Sequence, residues 1–330
     1  LGAAAAHAGP AGVTDDAGRR VAVPERVERV YAAGPPASVL VYALAPDKLL
    51  GWTRALTRDE AAFLPSRYAA LPELGPLTGR GNTANVEVVL RSRPDLIVDT
   101  GAVAPTFASL ADRVQGQTGL PYLLLDGRFD RLPRTLRTLG RLIAEPARAE
   151  ELAAYVERTL AEAQARVERV PAAARPRVYY ARGPNGLQSA PAGSINVETL
   201  EFLGARNVVD VTATRGLVNV SLEQVLAWNP DVIVTVDPNF YAAVWSDPRW
   251  AAVTAVRERR VHLSPLLPFG WVDFPPGVNR VIGVRWLGAM LYPDAFPEDL
   301  RAETRAFYRM FYHVELTEAQ LDRLLGAPRR

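Results

Sequence analysis

The chain has no cysteine in its 330 residues. This excludes disulfides, thiolate metal sites, iron–sulfur clusters and a cysteine nucleophile, and it suits an oxidising compartment where stray thiols are a hazard. Lysine is almost as scarce: Lys48 is the sole one, so arginine supplies nearly all of the 38 basic charges. With 36 acidic residues opposing them the formal net charge is only +2, and the pI of about 9.0 reflects an arginine-rich composition, not a concentrated basic run. No basic stretch is interleaved with aromatics, so nothing points to nucleic acid. No apolar run approaches the roughly 18 residues of a membrane-spanning helix. Histidine occurs three times, as His7, His262 and His313, with no H-x-x-x-H spacing for a metal. G-x-S-x-G is missing, and no carboxylate pair is spaced for acid–base work.

What is present is a repeat. VEVVLRSRPDLIV starts at Val86 and LEQVLAWNPDVIV at Leu222, 136 residues on, with Glu, Val-Leu, Pro-Asp and an aliphatic run in the same register. A chain of this length has a two-domain prior, and the repeat agrees with it. From Val13 to Leu125 short aliphatic runs alternate with helical ones, and the alternation restarts at Arg177. Strands alternating with helices imply parallel sheets with right-handed crossovers. Between the two halves, about 132–170, lies a helical run with Glu and Arg alternating on its polar face. The organisation expected is therefore a tail over 1–12, an α/β lobe over 13–131, a linker region with a long spine helix over 132–170, and a second α/β lobe with C-terminal helices over 171–330. A helical tether permits less hinge closure than a flexible crossover. Phe307, Tyr308, Phe311 and Tyr312 lie in an amphipathic C-terminal stretch and are expected as core. The opening LGAAAAHAGPAG contains Ala6-His7-Ala8, which matches an A-x-A cleavage site and leads to the expectation of an exported chain with its signal peptide removed.

Gly79-Arg80-Gly81-Asn82-Thr83-Ala84 fits G-x-G-x-x-A, but LPELGPLT precedes it in place of a strand, so the context of a dinucleotide site fails. His262 reads as a satisfied strand residue. The sequence offers instead two sets of loops at the carboxyl ends of predicted strands, where open α/β sheets bind ligands. In the first half they hold Pro36, Ser38, Arg80, Asn82 and Thr100. In the second they hold Arg182, Asn185, Asn239, Tyr241, Phe269 and Trp271, with Tyr180 in the strand run RVYYARG that leads into the first of them. Gly or Pro mixed with polar and aromatic groups suits a rigid ligand cleft.

With these residues in place, the chain resembles the periplasmic substrate-binding proteins of iron-complex and vitamin B12 ABC importers, the class with a rigid helical linker. The resemblance begins at VTDDAGRRVAVPERVERV, passes through NVEVVLRSRPDLIV and the long helix, and reaches SLEQVLAWNPDVIV. It implies two Rossmann-like α/β lobes with mostly parallel sheets joined by one long helix, a ligand cleft between them, no catalysis, no cofactor, and a monomer serving a permease dimer in the inner membrane. It also implies that Glu87 and Glu223 pair with arginine pockets on the two permease subunits. The residues give a second reason for those carboxylates: Asn85 and Ser221 can cap their helices, and a first-turn Glu stabilises a helix by about 0.3–1 kcal/mol.

The expected ligand is a ferric siderophore-type chelate, for which Tyr180, Tyr241, Phe269 and Trp271 supply aromatic surface and Arg80 and Arg182 supply charge. If iron or haem is ligated directly, Tyr180 or Tyr241 is the candidate ligand; no histidine falls in a predicted cleft loop, which lowers the haem reading. A molybdate or tungstate oxyanion ranks second, taken by arginine and the helix start at Ser194 and Asn196. Cobalamin or haem ranks third. A nucleotide-sugar enzyme on a two-domain α/β scaffold is the competing class, and a protein-binding scaffold is the third.

Overall fold

The computed structural model describes residues 11–78, 85–211 and 216–326. The chain divides into two compact units: the residues up to Tyr155 with Phe311–His313, and Val156–Met310 with the residues from Val314 on.

The first unit opens with an antiparallel hairpin, β1 (Ala11–Thr14) and β2 (Arg20–Val23), in which Ala11 faces Val23. Asp15 closes its turn by accepting the N–H groups of Ala17 and Arg19 at 3.1 and 2.9 Å. A three-stranded parallel sheet follows, ordered β3 (Val30–Ala32), β4 (Leu96–Gly101), β5 (Tyr122–Asp126). Its connections carry α1 (Pro35–Leu44), the one-turn helices α2 (Arg58–Ala61) and α3 (Ser66–Ala69), α4 (Val86–Ser92) and α5 (Pro105–Thr118). Tyr31, Ile97 and Tyr122 of the sheet pack with Val89 of α4 and Leu110, Ala111 and Val114 of α5. Leu96, Ile97 and Val98 are all fully buried, so both faces of β4 are covered. That is why the strand reads as an unbroken aliphatic run.

The helical run over 132–170 resolves into two helices, α6 (Leu132–Leu142) and α7 (Pro146–Glu168). The break is local: Ala144 has φ 59°, and Pro146 cannot continue the preceding helix. A Cβ on Gly140 would stand 2.2 Å from the Ala149 side chain, so only glycine lets these helices approach as they do. Arg137 then clasps Glu150 with two bonds of 2.7 and 2.8 Å. At 1.5 Å per residue α7 is about 34 Å long, and the division between the units falls within it.

The second unit is built on a four-stranded, wholly parallel sheet ordered β11-β10-β6-β8, where β6 is Arg177–Ala181, β8 Arg206–Asn207, β10 Val232–Thr235 and β11 Val261–Leu263. A small antiparallel pair, β7 (Gln188–Ser189) and β9 (Val218–Asn219), lies beside it in sequence. The helices are α8 (Glu198–Phe202), α9 (Leu222–Trp228), α10 (Pro238–Ala243), α11 (Thr254–Arg257), α12 (Arg280–Leu291), α13 (Leu300–Tyr312) and α14 (Glu318–Leu325). Tyr179, Ile233 and Val261 pack with Val225 of α9, Phe240 of α10 and Trp250. Phe307 and Tyr308 are completely buried, as expected of core, and so are Phe311 and Tyr312 at the end of α13, which belong to the first unit. His262 sits on β11, its pKa pushed down by burial and then by Arg260. The fold is thus α/β with parallel sheets. Among the described residues no helix is long and apolar enough to cross a membrane.

The repeated phrase is a tertiary device as well as a helix–strand pair. Both helices end in a left-handed residue, Arg93 (φ 46°) and Asn229 (φ 41°). The Asp of each Pro-Asp then accepts a backbone N–H from the segment leading into the neighbouring strand, Asp95 from Arg29 and Asp231 from Arg177, each at 2.8 Å. Those arginines return to cap the helix carbonyls: Arg29 reaches Ser92 and Arg93 at 2.6 and 2.9 Å, and Arg177 reaches Trp228 and Asn229 at 2.5 and 3.1 Å. The last carbonyls of a helix lack partners within it, and each unit solves this with an arginine at the equivalent position, Arg29 in one and Arg177 in the other.

Candidate ligand-binding surfaces

In the first unit the ends of β3 and β4 meet the start of α1. Gly34 caps that helix and Pro35 and Pro36 open it, with Pro36 half-buried. Ser38 is buried and turned to its own helix, its hydroxyl donating to the Pro35 carbonyl at 2.8 Å. Next to Gly34 stands Asp99, buried and accepting from the Tyr122 hydroxyl at 3.0 Å. Burial pushes its pKa up to about 6, against the pull of the Tyr122, Thr100 and Thr78 hydrogen bonds. The Thr100 hydroxyl, one residue on, is buried without a hydrogen-bond partner among the described residues. Gly127 presses against it: a Cβ there would lie 3.2 Å from Thr100 Oγ1 and 3.1 Å from Gly101 Cα. Arg80 and Asn82, with the rest of Gly79–Ala84, lie outside the described residues.

In the second unit the organising group is Asp273, completely buried. Tyr180 at the end of β6 donates its hydroxyl to Oδ2 at 2.6 Å, and Arg182, just beyond the strand, pairs with the same oxygen. The Asn196 amide lies 3.1 Å from both carboxylate oxygens, and the Phe274 N–H donates to Oδ1 at 2.7 Å. Burial, then the Asp273 charge, raises the Tyr180 pKa far above its ordinary value. A buried carboxylate is tolerable only with such a set of donors. Ser194 is buried and extends the chain, its hydroxyl 3.2 Å from Asn196 Oδ1. The segment carrying Asp273 is itself closed: the Gly270 N–H donates to the Phe274 carbonyl at 3.0 Å, and Asn279 Nδ2 donates to the Pro275 carbonyl at 2.8 Å. A Cβ on Gly283 of α12 would fall 1.8 Å from the Trp271 carbonyl, so α12 supports this segment by direct backbone contact.

The structure therefore gathers Tyr180, Arg182, Ser194 and Asn196 around one carboxylate that sequence reasoning did not single out. Trp271 and Phe269 are buried side chains; the Trp271 indole donates to the Tyr308 hydroxyl at 3.2 Å. Asn185 is exposed at the Gly183–Gly186 turn, and Asn239 is exposed on α10. Tyr241 is half-buried, set edge-on to Trp245 at 5.6 Å between ring centroids. Phe274, also absent from the sequence reading, is 56% exposed. Asp273 and Phe274 carry no periodic signal; the only hint is an Asp wedged among WVDFPP. Among the described residues no group of three or more His, Asp or Glu side chains is arranged to hold a metal.

The glutamates of the repeat are both on the surface. Glu87 is paired with Arg91 one turn on at 2.9 Å, and Asn85 caps its helix at 3.3 Å from the Val88 N–H. Glu223 stands in the first turn of α9 behind the reciprocal Ser221–Gln224 cap. Its carboxyl is held below its ordinary range by backbone N–H and the Ser221 hydroxyl.

Parallel-sheet units with polar and aromatic groups at the strand ends suit the capture of a solute. The chain belongs to the periplasmic binding protein family, whose model matches residues 41–265, and within it to the binding proteins of ABC importers. It is 27% identical to the molybdate-binding protein MolA of Haemophilus influenzae, over 92% of this chain and 91% of that one. It is 29% identical to a cobalamin-binding protein of Halobacterium salinarum, over 63% of this chain and 53% of that one. The structure superposes with a TM-score of 0.87 and 30% identity on an ABC transporter solute binding protein from Sulfurospirillum deleyianum, covering 96% of this chain and 99% of that one.

Proposed function

We propose that the protein captures a metal-bearing solute in the periplasm, most simply a ferric siderophore-type chelate, and delivers it to a membrane permease dimer without chemical change. The observation that carries the delivery step is the matched presentation of Glu87 and Glu223. Each follows the N-cap of a short helix, projects from the surface, and is anchored by the same arginine-capped helix end in its own unit. Helix stability needs no such duplication in two units; two equivalent permease subunits do. Thr100 in the first unit, and Arg182, Asn196 and Tyr241 in the second, are the residues proposed to meet the ligand or to shape the surface that does.

A molybdate-type oxyanion is the second reading. It is favoured by the similarity to MolA along most of the chain and by the buried Thr100 hydroxyl, which has no hydrogen-bond partner among the described residues and can donate to an anionic oxygen.

The test is a Glu87→Arg, Glu223→Arg double variant in a transport assay. Uptake is expected to be lost while the ligand dissociation constant stays as in the wild type. Normal uptake by the double variant overturns the docking assignment.

A further inference from the structure

Phe274 is the most exposed of the large apolar side chains among the described residues. Its φ of 71° lies in the left-handed region, which glycine takes freely and an aromatic residue takes only under strain. The backbone on both sides is fixed, by its N–H on Asp273 at 2.7 Å, its carbonyl on the Gly270 N–H at 3.0 Å, and the Pro275 carbonyl on Asn279 at 2.8 Å. Asp273 is in turn immobilised by Tyr180, Arg182 and Asn196. Strain of this kind persists where the surroundings over-determine it, and it concentrates at functional positions. Here it presents a phenyl ring to water.

The guanidinium carbon of Arg182 lies over that ring, 5.5 Å from its centroid. A cation on one face withdraws π density, which suits the rest of the ring to an electron-rich, flat partner. A bare tetrahedral oxyanion needs N–H and O–H donors and gains nothing from a phenyl face.

We infer that Phe274 is a ligand-contacting residue, and that the solute is a metal chelate presenting a flat, electron-rich unsaturated face to it. This inference rests on the solute-capture reading above and narrows its ligand class. Catecholate rings and tetrapyrroles share that chemistry.

Wild-type protein and the Phe274→Gly, Phe274→Leu and Phe274→Tyr variants are titrated with ferric 2,3-dihydroxybenzoate, haemin, cyanocobalamin and sodium molybdate. Dissociation constants are read from tryptophan fluorescence and Tm from calorimetry of the ligand-free proteins. The wild type is expected to bind a flat-faced chelate, the catecholate and tetrapyrrole arms telling which. F274G and F274L weaken that binding about tenfold, and F274Y, which keeps the ring, by less than about threefold. F274G melts no lower than the wild type, because glycine suits φ 71°. Affinity indifferent to the ring overturns the inference alone and leaves solute capture standing. A lowered Tm accompanying weaker binding in F274G gives the ring a structural role and also overturns it. Molybdate as sole binder, or binding of none of the four, overturns the chelate reading together with the inference.

Discussion

The Tyr180 hydroxyl donates to the Asp273 carboxylate at 2.6 Å, and neither side chain reaches solvent. Removing the acceptor leaves the Tyr180 hydroxyl, the Arg182 guanidinium and the Asn196 amide without the carboxylate they share. Asp273→Ala is expected to cost about 3–5 kcal/mol, the usual penalty for stranding one member of a buried charged set. Asp273→Asn should cost less, since the amide keeps the volume and one acceptor. Urea denaturation checks both, and D273A as stable as the wild type would refute the assigned role.

Asp99 makes stability depend on pH in the acid range. Its folded pKa of about 6 exceeds the ordinary 3.8, so the folded state holds the proton more tightly than the unfolded chain. The associated stability is fully present below pH about 4 and is lost as pH rises through about 6, a change on the order of 2–3 kcal/mol. Asp99→Asn should abolish this dependence and match or exceed the wild type at pH 7. Urea midpoints at pH 5 and 7 for both proteins would show the difference.

Ser221 separates helix stability from docking. Its hydroxyl accepts the Gln224 N–H, and Gln224 answers at 2.8 Å on the Ser221 N–H. Ser221→Ala should cost about 1 kcal/mol and leave ligand affinity untouched. A thermal melt paired with a binding titration measures both.

Gly283 fixes where α12 lies. An alanine there would drive its methyl into the Trp271 carbonyl, 1.8 Å away, so the helix and the Gly270–Phe274 segment must part. Gly283→Ala should cost about 1–3 kcal/mol or more, read from Tm, and should weaken ligand binding through displacement of Phe274.

The two α/β halves were legible because burial on both faces of a parallel strand demands an unbroken aliphatic run, and Leu96-Ile97-Val98 and Val232-Ile233-Val234 supply one in each. The helix starts were legible because Asn85 and Ser221 are local signals. The helical run over 132–170 was legible as helix, but its break at Ala144 was not: the left-handed turn there goes with close packing of Gly140 on Ala149, a contact between helices that no periodicity records. The aromatic positions were the hardest to assign. Trp271 and Phe274 are three residues apart and similar in chemistry, yet one is core and the other is exposed.

The sequence by itself determined the duplicated α/β plan, the capped helices and the glutamates they carry, because each depends on neighbours within a few residues. Only the tertiary structure decided that Tyr180, Arg182 and Asn196 converge on Asp273, which aromatic ring faces water, and which carboxylate is proton-responsive. Those properties depend on burial and on partners tens of residues apart in the chain, and the free energy of a buried charge is set by whatever donors the fold happens to bring within about 3 Å.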